Sequence, residues 1–144
     1  MRKQSNVCRI LVVDGQGGGI GGQLVKLLRT CLPEHCELIG VGTNALATNA
    51  MLKAGADHGA TGENAVVFNA ARADVILGPI GVVVANGILG EVSPRMATAI
   101  SGAEVKKILI PSSTCGIYVA GTEDCRLEEY LRRAVQVVMQ VIAE

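Results

Sequence analysis

Along this 144-residue chain, short apolar runs of strand length alternate with stretches in which apolar residues recur every three or four positions. "RILVVD" (9–14) is almost wholly apolar and rich in Val and Ile, the pattern of a strand buried on both faces. Ile20, Leu24, Leu27, Leu28 and Cys31 follow at helical spacing, and Pro33 helps to end that segment. "ELIGVG" (37–42) predicts a second strand, and "NALATNAMLKAG" (44–55) a short helix closed by Gly55. "ADVILG" (73–78) and "VKKILIP" (105–111) predict further strands, and "IYVAG" (117–121) a last one. Thr61 can cap "GENAVVFNAA" (62–71), with Glu63 at the positive end of that helix. Ser93 followed by Pro94 starts "PRMATAIS" (94–101), and Gly102 stops it. Thr122 can cap a final helix. Leu127, Tyr130, Leu131, Ala134, Val138, Val141 and Ile142 line one face of it, opposite Glu128, Glu129, Arg132 and Arg133.

Strand alternating with helix implies a parallel sheet covered on both sides, with right-handed crossovers. The predicted architecture is a Rossmann-like three-layer α/β/α sandwich with a mostly parallel sheet, one domain over residues 1–144. Ligands in such folds sit at the carboxyl ends of the strands, near the switch in strand order.

Composition narrows the function classes. Net charge is zero and no five like charges run together, which argues against a nucleic-acid partner. Apolar residues make up 49% and charged residues 18%, below the usual quarter. Phe68, Tyr118 and Tyr130 are the only aromatics, so the core must be aliphatic. So little charge on a small domain suggests that part of its surface is covered in a subunit contact, and a homo-oligomer is expected. No apolar run reaches the roughly 18 residues of a membrane span; "ILGPIGVVVANGILG" (76–90) is broken by Gly and Pro. "MRKQSNVCRILVV" (1–13) lacks a small-residue cleavage site and runs into a strand, so a cytoplasmic protein is expected. Cys8, Cys31, Cys36, Cys115 and Cys125 contain no Cys-x-x-Cys pair and have only His35 and His58 as co-ligands, which favours free thiols over zinc.

The strongest chemical signal is "VVDGQGGGIGGQL" (12–24), in which six of residues 15–22 are glycine. Gly17, Gly19 and Gly22 satisfy G-x-G-x-x-G; Gly15, Gly19 and Gly21 satisfy G-x-x-x-G-x-G, with Ile20 between the last two. The second spacing resembles the cofactor loop of short-chain dehydrogenases and reductases, with Asp14 where that family usually has threonine. Glycines let backbone approach a pyrophosphate, and a following helix offers free N–H groups to the anion. Asp14, Gly15, Gln16, Gly17, Gly18, Gly19, Ile20 and Gly21 are therefore candidate ligands of a phosphate, with NAD(P) or another nucleotide as the suspected cofactor. The plain alternative is a tight turn from strand to helix. Asp14 either turns back onto the loop's N–H groups or faces a ligand hydroxyl or Mg²⁺. At the end of the second strand, where dinucleotide sites carry an acid, stand Gly42, Thr43 and Asn44. Thr43 and Asn44 are candidates to meet a ribose, or simply to cap the next helix. The tyrosine–lysine pair of short-chain dehydrogenases is missing: Thr122 follows Tyr118 at that spacing, and Ala134 follows Tyr130.

"GPIGVVVANGILGE" (78–91) places Gly78, Pro79, Ile80 and Gly81 as a second wall of the pocket, with Asn86 and Glu91 its polar residues. His58 reads as a surface or locally bonded histidine, and Glu63 and Asn64 as first-turn helix residues. Cys115 would need a base to act as a nucleophile, and none can be placed. The whole chain resembles a small bacterial family known only as a domain of unknown function, through "DGQGGGIG", "VGTNALAT", "AGADHGATGENA", "GPIGVVVANGILGE" and "KKILIP". The resemblance implies a domain that stands alone and brings no catalytic residues. "GATGENAVVFNAARADVILG" (59–78) is also distantly similar to nucleotide-sensing Rossmann domains that regulate potassium transport, which bind nucleotides without chemistry and oligomerise. Two classes of function follow: a non-catalytic nucleotide-sensing or assembly module, or a small enzyme acting on a phosphorylated metabolite with a site shared between subunits.

Overall fold

The computed structural model describes residues 7–112 and 116–144. Five strands, β1 Cys8–Asp14, β2 Cys36–Gly42, β3 His58–Thr61, β4 Val75–Pro79 and β5 Lys106–Ile110, form one sheet in the order β3-β2-β1-β4-β5. Every pairing is parallel. Helices α1 Gly19–Arg29, α2 Ala45–Ala54, α3 Glu63–Ala70, α4 Pro94–Ser101 and α5 Leu127–Ile142 cover it, and Ile80–Val83 makes a single tight turn after β4. The result is the Rossmann-like three-layer sandwich that the alternating pattern predicts.

β1 is central, and its unbroken apolar run has a direct cause. Ile10 and Val12 face a core shared with α1, α2 and α5, while Leu11 and Val13 face a second core shared with α3 and α4. All four are at most 1% exposed. Asp14 continues the Ile10–Val12 side, which aims its carboxylate at the start of α1. The order reverses between β1 and β4, so the cleft above those two carboxyl ends is the place where this topology seats ligands.

Ser93 and Pro94 start α4 as expected, with the Ser93 hydroxyl accepting the N–H of Met96. Asn44 caps α2, its side chain accepting the N–H of Ala47 at 2.9 Å, and Gly55 ends that helix at φ 120°. Other expectations need correction. Residues 117–121 form no strand: Gly116 and Gly121 take φ 74° and 86°, so turns bracket the segment, and Tyr118 is exposed. Thr122 caps nothing; its hydroxyl donates to the Val119 carbonyl, and α5 begins after Arg126. Thr61 ends β3 rather than capping α3, which Gly62 precedes. β3 was illegible because "HGAT" is mostly exposed and held at the sheet edge by its backbone ladder to β2. On α1 the buried face is Gly21, Leu24, Val25 and Leu28, so Leu27 and Cys31 are exposed. Gly21 sets that rotation: a Cβ there would meet Asp14 Cβ at 2.8 Å and Met51 Sδ at 2.9 Å. Among the described residues no helix is long and apolar enough to cross a membrane.

Candidate functional site

The glycine loop joins β1 to α1 at the carboxyl edge of the sheet, and the chain supplies two carboxylates to it. Asp14 is 5% exposed. Its Oδ1 accepts the N–H of Gly15 and its Oδ2 the N–H of Gly21, both at 2.7 Å. Asp14 thus turns back onto the loop, as one of its two sequence readings had it. It satisfies a first-turn N–H of α1 as an external cap, where the helix dipole favours negative charge. Burial raises its pKa from 3.8, against the pull of the N–H groups of Gly21 and Gly15; the Glu91 charge raises it further.

Glu91 reaches the same loop from the other side of the cleft. Its Oε1 accepts the Thr43 hydroxyl at 2.8 Å and the Asn44 amide at 2.6 Å, and both its oxygens lie 3.1–3.2 Å from the N–H of Gln16. The Asn44 amide also donates to the Gln16 carbonyl at 2.9 Å. These contacts hold Gln16 at φ 49°, a left-handed conformation. The amide of Asn44 first, then the Thr43 hydroxyl and the Gln16 N–H, hold the Glu91 carboxyl below its ordinary 4.5 despite some desolvation. Thr43 and Asn44 are thereby committed to Glu91 and to the cap of α2. The sequence marked Glu91 only as a polar residue in an apolar stretch. Its link to the end of β2 had one signal, the lack of any acid between Glu37 and Asp57.

The glycines of the loop divide into two groups. At Gly15 a Cβ would meet Thr43 Oγ1 at 2.7 Å and Ile88 Cγ2 at 3.1 Å; Gly18 stands at φ 71° against Ala47. Together with Gly21, these serve packing and conformation. At Gly17 and Gly19 a Cβ would meet nothing within 4 Å, and neither has a positive φ. Both are exposed, and no hydrogen bond within the described residues takes either N–H.

Beside the loop lies a cavity of ≈ 690 Å³ at the switch point, lined by Asp14, Gly15, Gln16 and Ile20 on one side. Pro79, Gly81, residues 84–89 and Ser112 form the rest. That volume suits a small ligand, and the walls are largely apolar with a few polar groups, as such sites usually are. Of the four residues 78–81, Pro79 and Gly81 line the cavity, and Gly78 and Ile80 do not. Gly78 instead packs β4 on β1, where a Cβ would meet the Val13 carbonyl oxygen at 2.4 Å. The loop over the cavity is strained: Asn86, Ile88 and Leu89 take φ 64°, 53° and 53°. For ordinary L-residues such a conformation costs roughly 1–2 kcal/mol each.

Other candidates lie apart. His58 is exposed on β3, and Asn64 sits in the first turn of α3. Glu63, beside it, accepts the Ser93 hydroxyl at 2.6 Å, which ties α3 to α4. Cys115 lies outside the described residues.

Comparison with known proteins adds a family and a fold. The family described as "Domain of unknown function (DUF3842)" matches residues 9–143. No curated protein matches the chain. Among solved structures, a dodecameric FMN-dependent Ubix-like decarboxylase from Escherichia coli O157:H7 is similar, with a TM-score of 0.51 and 16% sequence identity over 96% of each chain. At that identity the likeness is one of fold.

Proposed function

The chain belongs to that family of unknown function, and from there we propose that it binds a phosphate-bearing ligand of mononucleotide size, flavin mononucleotide first among them. The phosphate sits at the N–H groups of Gly17 and Gly19, and the ring system enters the cavity between the ends of β1 and β4. Gly17 and Gly19 carry this reading. Packing and backbone conformation account for Gly15, Gly18 and Gly21 but require no glycine at these two positions. Close approach of a ligand to the backbone is what glycine there serves. The unpaired N–H of Gly19 opens the first turn of α1 and that of Gly17 lies just before its cap, at the positive dipole end that suits an anion.

The cavity supports the second half of the reading. Ile20, Val84 and Ile88 offer apolar contact to a ring, and Asn86 and Ser112 offer polar contact at its edge. The similar solved protein depends on FMN, which places flavin ahead of NAD(P) among nucleotides to try. A homo-oligomer is part of the same proposal, because Leu46, Phe68 and Tyr118 are 55–87% exposed and a subunit contact would cover them.

A thermal-shift screen with FMN, AMP, ATP, FAD, NAD and NADP tests the reading. A ligand at 100 times its dissociation constant stabilises by about 2.7 kcal/mol. FMN or another mononucleotide should raise the melting temperature; no shift with any of them removes the reading.

A further inference from the structure

We propose that Glu91 is a specificity-determining gate: by bridging the glycine loop and the end of β2, it admits one nucleotide unit to the cleft and shuts out the second half of a dinucleotide. This rests on the ligand reading just given and adds to it which phosphate compounds the site refuses.

In a Rossmann dinucleotide site the pyrophosphate passes over the glycine loop, and the adjoining ribose lies between that loop and the end of β2. In this chain that passage is filled. Thr43 Oγ1 and Ile88 stand over Gly15 closely enough to leave no room for a Cβ. The Glu91 carboxylate spans the remaining gap, bound to Gln16 on the loop and to Thr43 and Asn44 just past β2. The donors that would meet a ribose hydroxyl are the same ones that Glu91 holds. The ≈ 690 Å³ cavity lies on the opposite side of the loop, towards β4, and none of its walls comes from β2 or α2. A ligand there ends at the glycine loop instead of crossing it.

The geometry also shows how the gate is held. Glu91 closes a segment in which Asn86, Ile88 and Leu89 are left-handed and Leu89 is 92% exposed. Burial does not anchor Leu89, while Ile88 beside it packs on the core shared with α3 and α4. The hydrogen bonds of Glu91 tie the segment across to β2, against its own backbone strain. Without the carboxylate, Thr43, Asn44 and the Gln16 N–H become free to bind a ribose and a phosphate.

Calorimetric titration of the full chain, its Glu91→Ala variant and its Glu91→Gln variant with FMN, FAD and NAD tests this. The wild type should bind FMN at least about tenfold more tightly than FAD or NAD, a gap of about 1.4 kcal/mol. Glu91→Ala should gain about tenfold or more for FAD or NAD, so that the preference for FMN over the dinucleotides falls by at least that factor. Glu91→Gln, which keeps the shape and loses the charge, should fall between, and it decides in the same way if Glu91→Ala fails to fold. Unchanged dinucleotide affinity in a folded variant overturns the gate, as does a wild type that binds FAD and FMN equally. A wild type that binds no mononucleotide ends the ligand reading instead. In that case a gain in dinucleotide binding by the variant still supports the gate, and no gain overturns it.

Discussion

Asp14 sits in the glycine loop where an anion would otherwise bind, and its two 2.7 Å bonds to Gly15 and Gly21 make it part of the turn. Asp14→Asn must place an amide NH₂ against one of those N–H groups. The variant should lose about 1–3 kcal/mol of stability at neutral pH, read by urea unfolding. The same change removes a negative charge beside the loop, so affinity for a phosphate group should rise several-fold. The pH dependence has a definite sign. A carboxyl whose folded pKa lies above its unfolded 3.8 favours the folded state while protonated, and that contribution is lost as pH rises through the raised value. Asp14→Asn should lack this loss. Glu91, with a lowered pKa, acts in the opposite sense: its contribution is present above 4.5 and is lost as pH falls through the lowered value. The spacing of the glycines was legible in the sequence because strand, turn and helix are local. The partner of Gln16 was not, since Glu91 lies 75 positions away and one apolar loop must fold back to bring it there.

At the scale of elements, the segment after β4 departs most from what its residues prefer. "GPIGVVVANGILGE" reads as apolar chain with glycine breaks, and periodicity alone cannot tell a buried strand from a short helix. It forms neither beyond Ile80–Val83, but a looped cover with three left-handed residues that are not glycine. Leu89→Asn should stabilise the protein by about 0.5–1 kcal/mol, because Asn tolerates φ > 0 and the Leu89 side chain is exposed. A chemical denaturation midpoint that falls would show that the leucine is held by contacts, as in an oligomer. β1, β2, β4, β5, α2 and α4 were readable from runs and caps. β3 escaped because an edge strand needs only backbone pairing, and Thr122 misled because a capping residue is recognisable only once the helix start is fixed.

For the whole molecule, the sheet order puts the switch point between β1 and β4, and the glycine loop, the cavity and the strained cover all converge there. Two aliphatic cores, one on each face, hold the strand ends that carry these parts. Exposed Leu46, Phe68 and Tyr118 lead to a mass measurement. Light scattering should give at least twice the 14.9 kDa of one chain, and a monomer at micromolar concentration would contradict the proposed subunit contact. The ligand claim is tested most directly by calorimetric titration of FMN into the wild type and its Gly17→Ala variant. The wild type should bind one FMN per chain. Gly17→Ala, where a methyl meets nothing in the protein, should unfold within about 0.5 kcal/mol of the wild type yet bind about tenfold more weakly. No heat of binding with the wild type, or equal affinity in the two proteins, would contradict a phosphate held at Gly17 and Gly19.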